Sequence, residues 1–275
     1  MAVLRIIIIF FSITLSIQAK TRLPDREPSV WLYNQTQEQV IAERNALEVR
    51  PFASITKLMT AMIVIDQDWN WERRLPLSRL AGSRLPPGSY TRRELLEALL
   101  VKSDNAAAET FAADFPGGRS AFLQAMNSRA WQLGMYSTQF SDPNGLSSSN
   151  VSNAEDLGTM VRAASGYDLI RNISTQPHVV VETHSRRRTR LMELNNTNGR
   201  ALGVLDNVQV SKTGFTNPAG FCMALQVEQA GDTYLVVVLG APNSTKRLDL
   251  VKNLLYTHTV EIIETKSPPK RRRRR

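Results

Sequence analysis

The chain has 275 residues, 42% hydrophobic and 21% charged, with 14 glycines and 13 prolines, a globular composition with room for one large domain or two small lobes. Its single cysteine, Cys222, excludes an internal disulfide and any cysteine-based zinc site. The net charge is +9, but Lys270–Arg275 carry six of these charges and Arg5 a seventh, which leaves +2 on the rest, so the basicity belongs to the tail and not to the fold.

Arg5 precedes an apolar run from Ile6 to Ile17, followed by Gln18-Ala19 and the polar Lys20-Thr21-Arg22. A positive start, a short apolar centre and a small exit residue read as a secretory signal peptide over residues 1–19. The run is too short to span a hydrocarbon core of roughly 30 Å. Ser29–Tyr33 and Glu38–Ala42 read as strands around the polar turn Asn34–Gln37. From Ser54 the pattern becomes helical, and Leu58, Met59, Met62, Val64 and Ile65 predict a helix buried nearly all round. Thr91-Arg92-Arg93-Glu94 is a capping box opening a helix to Val101. Helices follow over Ala106–Asp114 and Ser120–Leu133, the second stopping at Gly134. Ser141–Gly145 is a turn cluster, and Ser152-Asn153-Ala154-Glu155 reads as a second capping box, continued by Asp156–Ala164.

Beyond Pro177 the signal changes to strands over His178–Thr183, Thr189–Leu194, Val208–Lys212, Ala219–Val227 and Thr233–Leu239, the last two joined at Gly231-Asp232. Leu248–Leu255 reads as a closing amphipathic helix, and Cys222 as a buried structural thiol. Opening strands, a helical insert, returning strands and a final helix predict an α/β lobe (20–60 and 205–262) carrying a mainly helical insert (61–204), with 263–275 as a disordered basic tail. Two such lobes meet along a cleft, a favoured place for ligands.

Three short motifs fall in this frame. Ser54-Ile55-Thr56-Lys57 opens the buried helix, Ser103-Asp104-Asn105 lies between two helices, and Lys212-Thr213-Gly214 closes a predicted strand. Singly they are weak, since S-x-x-K arises by chance roughly once per 250 residues. Ser267-Pro268-Pro269-Lys270, where two prolines forbid a helix, is such an accident. Order, spacing and context together form the signature of active-site serine penicillin-recognising enzymes.

Positions i and i+3 share a helix face, so Lys57 reaches the Ser54 hydroxyl. A serine hydroxyl needs a base within hydrogen-bond distance, and lysine serves if burial and a neighbouring cation depress its pKa. The apolar neighbours of Lys57 supply the burial, and Lys212 is expected to supply the charge. Ser103 is placed to pass a proton toward a leaving nitrogen and Asn105 to bond a substrate amide. Lys212 and Thr213 are placed to grip a carboxylate. The helix start at Ser54 and a backbone N–H beside Gly214 favour a developing oxyanion.

The chain resembles the low-molecular-mass penicillin-binding proteins, the D-alanyl-D-alanine peptidases, and most closely their periplasmic endopeptidase branch. The likeness runs through Pro51–Met62, Pro116-Gly117-Gly118, Leu133-Gly134-Met135, Gly145-Leu146-Ser147 and Lys212–Asn217 with Ala219-Gly220, and covers about residues 28 to 245. It implies a β-lactamase-like fold, α/β plus all-α, with an antiparallel sheet flanked by helices. It implies Ser54 as acylated nucleophile, Lys57 as general base, and Ser103 with Asn105 as the second motif. Lys212, Thr213 and Gly214 become the third motif, and the Ser54 and Phe215 amides the oxyanion hole. The implied substrate is the D-Ala–diaminopimelate cross-link of peptidoglycan, with β-lactams as covalent inhibitors, no cofactor or metal, and a periplasmic site of action. The carboxypeptidase branch carries an extra C-terminal β domain and a membrane-binding helix for which this chain has no room, which favours a soluble endopeptidase.

Rival readings remain at this level. A carboxypeptidase shares every motif. A class A β-lactamase adds a glutamate in E-x-x-L-N, which Glu193-Leu194-Asn195-Asn196 approaches with the wrong spacing. The arginine run invites anionic envelope polymers, while nucleic acid is not expected of an exported protein. His178, His184 and His258 form no H-E-x-x-H, and no G-x-S-x-G exists.

Overall fold

Continuous apolar runs in the last two strands set the architecture. In Leu235-Val236-Val237-Val238-Leu239 every residue is buried, the pattern of a strand covered on both faces. The computed structural model describes residues 27–80, 82–184 and 189–266, with side chains described as far as residue 257. The proposed signal segment and the Lys270–Arg275 run lie outside the described residues.

The strands are β1 (Ser29–Asn34), β2 (Gln39–Arg44), β3 (Arg50–Pro51), β4 (Arg74–Leu77), β5 (Gly88–Thr91), β6 (Val151–Ser152), β7 (His178–His184), β8 (Thr189–Asn195), β9 (Val208–Thr216), β10 (Gly220–Gln229) and β11 (Asp232–Ala241). The helices are α1 (Lys57–Ile65), α2 (Arg92–Val101), α3 (Asn105–Asp114), α4 (Gly118–Gln132), α5 (Ala154–Ala164), α6 (Asp168–Ser174), α7 (Gly199–Leu202) and α8 (Ser244–Lys266).

Five strands form an antiparallel sheet in the order β2-β1-β11-β10-β9. Period two sorts their side chains. Val30, Leu32, Leu225, Val236 and Val238 pack with Val251 and Leu255 of α8, while Trp31, Ala224, Leu235 and Val237 join the larger core of α1 and α5. This is the antiparallel sheet flanked by helices expected from the resemblance. Helix α1 is buried from Lys57 through Val64, as its apolar surface predicts.

Local readings fare unevenly. The Thr91–Glu94 capping box is present with both reciprocal bonds. The Ser152–Glu155 box is not: Asn153 caps α5 and accepts from the Asp156 amide, one residue later, because Ser152 is paired in β6. The β10–β11 hairpin turns on Ala230-Gly231, both at positive φ, rather than on Gly231-Asp232. A four-stranded sheet β4-β5-β7-β8 brings in β4 and β5, which sequence pattern missed. Both are four residues long, with Pro76 inside one and Gly88 opening the other, so no alternation is visible.

Strand β9 also runs past Lys212 to Thr216, so Lys212-Thr213-Gly214 lies inside a strand and not at its end. It is the edge strand of the main sheet. One of its sides faces the 3-10 turn Ala53–Thr56 that leads into α1.

Candidate active site

Ser54 sits in that 3-10 turn and not at the N-cap of α1, which is Thr56. Ala53 before it has φ +50°, an uncommon conformation for a residue with a side chain. Two glycines press on this turn from opposite elements. A Cβ on Gly145 would stand 2.2 Å from the Ala53 oxygen, and one on Gly214 would stand 2.7 Å from the Phe52 oxygen and 3.1 Å from the Ser54 nitrogen. Only glycine allows both backbones so close. Gly214 therefore serves contact, with its strand continuing past it.

Lys57 is fully buried, with its Nζ 2.9 Å from Ser54 Oγ. It also donates to Asn105 Oδ1 at 2.8 Å and to the backbone oxygen of Asn144. These last two are acceptors only. A neutral amine spends its two N–H bonds on them and turns its lone pair to the Ser54 hydroxyl. Burial pushes the Lys57 pKa down to about 7, against the pull of the Asp104, Asp142 and Glu109 carboxylates. Asn105 thus orients the lysine, a contact beyond the substrate amide expected for it.

The Asn144 oxygen is delivered by a loop that sequence pattern marked only as a turn. Asp142 accepts from the amides of Asn144, Gly145 and Ser147 at 3.2, 2.6 and 2.6 Å. Asn150 Nδ2 ties the Asp142 carboxylate at 3.0 Å and Thr56 Oγ1 at 2.9 Å. Thr60 Oγ1 donates to the Pro143 oxygen at 2.6 Å. A backbone acceptor placed by Asx bonds leaves no residue-type signature.

The second and third motifs meet directly. Lys212 Nζ lies 2.9 Å from Ser103 Oγ, with Ser103 at φ +60° between α2 and α3. The cap of α3 is Asp104, whose side chain accepts from Ala107, and not Ser103. Lys212 was expected to lower the Lys57 pKa by its charge. The depression of Lys57 comes from burial, and the Lys212 ammonium is itself strongly disfavoured, by burial and then by Lys57 and Arg247. An incoming anion would relieve that cost. Thr213 Oγ1 donates to Thr197 Oγ1 at 2.9 Å, and Phe215, half exposed, packs on Phe221 with ring centroids 4.3 Å apart.

Ser54, Ser103, Asn105, Thr213, Gly214 and Phe215 line one cleft of about 470 Å³, with Lys57 and Lys212 buried beneath. Arg247 lines it too, a residue that sequence reasoning missed. Its Nη1 donates to the Cys222 oxygen at 3.3 Å, and its buried Nε has no hydrogen-bond partner. Nothing in the sequence separates it from other arginines. Cys222 is buried, its thiol pushed up to about 11 by desolvation, so it stays protonated at neutral pH. Among the described residues no group of three His, Cys, Asp or Glu side chains is placed to hold a metal ion. No described helix is long and apolar enough to cross a membrane. The chemistry available is a serine hydroxyl beside an amine whose proton is lost near neutral pH, a second hydroxyl bonded to the Lys212 amine, and the Arg247 guanidinium at the cleft wall.

Comparison with known proteins agrees with this chemistry. The profile of the D-alanyl-D-alanine carboxypeptidase family matches residues 25–243. D-alanyl-D-alanine endopeptidases of Pseudomonas aeruginosa and Escherichia coli are 38% and 35% identical over 221 residues, each covering 78% of this chain and 71% of the relative. Among solved structures, a penicillin-binding protein of Listeria monocytogenes in its ampicillin-bound form has TM-score 0.74 at 29% identity, covering 83% of this chain and 95% of that one. A Streptomyces DD-transpeptidase shares the fold with TM-score 0.77 at 24% identity over the same shares of each chain. With a matching profile over most of its length and relatives above 30% identity, the chain belongs to the D-alanyl-D-alanine carboxypeptidase family and is a serine DD-peptidase.

Proposed function

We propose that this protein is a periplasmic D-alanyl-D-alanine endopeptidase that cleaves D-Ala–diaminopimelate cross-links of peptidoglycan through an acyl-enzyme on Ser54. The observation that carries the reading is Lys57, buried and held by two acceptor-only oxygens with Ser54 Oγ as its third neighbour. In this mechanism neutral Lys57 takes the hydroxyl proton as Ser54 Oγ bonds to the D-alanine carbonyl carbon. The Ser54 and Phe215 amides hold the oxyanion. Ser103, bridged to Lys212, gives its hydroxyl proton to the departing nitrogen as the C–N bond breaks and takes up the proton that Lys57 removed from Ser54, which returns Lys57 to the free amine. Water then attacks the ester, and Lys57 again serves as base. The carboxylate beside the scissile nitrogen sits against Lys212, Thr213 and Arg247. Its charge offsets the crowding of cations there. β-Lactams acylate the same oxygen. The endopeptidase assignment is supported by the names of the relatives at 30–38% identity. Export to the periplasm is supported by the charged, apolar and small-residue pattern of residues 1–19.

Carboxypeptidase action on uncross-linked pentapeptide is the second reading, favoured by relatives of that name at 26–30% identity. Purified protein incubated with cross-linked dimers and with pentapeptide monomers, with Ser54→Ala as control, separates the two. The endopeptidase reading predicts that dimers fall to monomers. Release of terminal D-alanine alone would overturn it.

A further inference from the structure

The cleft carries more positive charge than one substrate carboxylate needs. Its lining includes Arg84, Lys102 and Arg247, and no aspartate or glutamate. Arg247 belongs to the wall made by β9, β10 and the start of α8, together with Thr213 and Phe215. Arg84 and Lys102 lie on the other wall, in the loop after β4 and at the C-terminal end of α2. Lys102 is half-buried and Arg84 is exposed at the mouth of the cleft, and neither makes an ion pair with a described residue.

This second wall is built. Asp104, fully buried between Ser103 and Asn105, accepts with Oδ2 from Ser83 Oγ, Arg84 N and Leu85 N at 2.9, 2.6 and 2.9 Å, and with Oδ1 from Ala107 N at 2.9 Å. One carboxylate thereby fixes the Ser83–Leu85 loop to the turn that holds Lys102 and Ser103. The middle residue of the second motif, a spacer by its pattern alone, is a positioning residue for Arg84.

The geometry points to a second anion subsite formed by Arg84 and Lys102, which binds a carboxylate on the side chain of the residue preceding the attacked D-alanine. This inference rests on the peptidase reading above. The leaving-side carboxylate is accounted for by Lys212, Thr213 and Arg247. The donor stem of a diaminopimelate cross-link brings another, at the far end of the residue before the D-alanine. Two cations held side by side on a cleft wall, with no ion-pair partner among the described residues, favour a ligand that supplies the charge. The enzyme then prefers diaminopimelate-type stems with a free carboxylate over amidated stems or stems with a lysine at that position.

The test uses two acyl-D-alanyl-D-alanine peptides that differ only in whether the preceding side chain ends in a carboxylate or its carboxamide. In the wild type, kcat/KM for the carboxylate peptide is expected to exceed that for the carboxamide by about tenfold. In the Arg84→Gln/Lys102→Gln protein, checked for folding by its melting temperature, the ratio collapses toward one. Arg84→Lys retains part of it. A wild-type ratio near one, or a ratio unchanged by the double substitution, overturns the subsite while leaving Ser54 acylation by penicillin intact. Absence of acylation at Ser54 would sink the peptidase reading and the subsite together. Should the double variant fail to fold, the wild type alone decides: the ratio falls as salt screens the contact, and a salt-independent ratio counts against it.

Discussion

Lys57 is asked to be a base at neutral pH, and its surroundings decide whether it is one. Burial lowers its pKa to about 7, although three carboxylates pull the other way. Because the working form is the deprotonated amine, penicillin acylation is expected to rise with pH through about 7 and to level off above it. A stopped-flow profile that is flat, or that falls over this range, contradicts the assignment. Lys57→Met removes the base and should slow acylation by roughly 10²–10⁴-fold. Asn105→Ala leaves one N–H of the neutral amine without its acceptor, and is expected to lower the acylation rate by a smaller factor. The residue scale was partly legible in sequence. Ser54, Lys57, Ser103, Asn105, Lys212 and Thr213 stood out because the chemistry demands side chains at fixed spacing, Gly214 because a backbone N–H must come close, and the Phe215 amide only through the family resemblance. The Asn144 oxygen did not, since it is a backbone atom and any residue type carries one. Lys212 was read for its charge, and only burial reveals that this charge is costly before an anion arrives.

At the scale of elements, the site is a convergence of tight contacts more than of helices. Gly145 and Gly214 clamp the Ala53–Ser54 peptide, so Gly214→Ala pushes β9 off the turn and should cut acylation at least about tenfold, through a shift near 1 Å. The Asp142 loop is a second such element. Asp142→Ala strips acceptors from three backbone amides and from Asn150, which should cost about 3 kcal/mol by chemical denaturation and slow acylation as the Asn144 oxygen drifts from Lys57. Long periodic elements such as α1, α2 and β11 were readable because packing repeats every turn or every second residue. The pair β4–β5 was not, because four residues with a proline or glycine show no period. The cap of α5 slipped by one residue, since Asn153 and Ser152 are both good caps and only the β6 pairing chooses between them.

Across the whole molecule, the two faces of the main sheet divide the work. One packs α8, and the other supports α1 and α5 beneath Ser54, so loss of Leu235 should be felt at the site. Leu235→Ala is expected to cost about 2–5 kcal/mol in denaturant unfolding. Six positive charges of a net +9 fall in Lys270–Arg275, outside the described residues, and removing those six residues should leave penicillin acylation at its original rate. The fold class was open to sequence reasoning because an apolar helix and returning strands bracket the three motifs. Arg84, Asp104 and Arg247 gain their meaning only from the cleft that gathers them. The most direct test of the account is intact-mass analysis and peptide mapping after incubation with benzylpenicillin. It predicts one adduct, on the peptide containing Ser54, absent from Ser54→Ala. An adduct on any other side chain, or none, would contradict it.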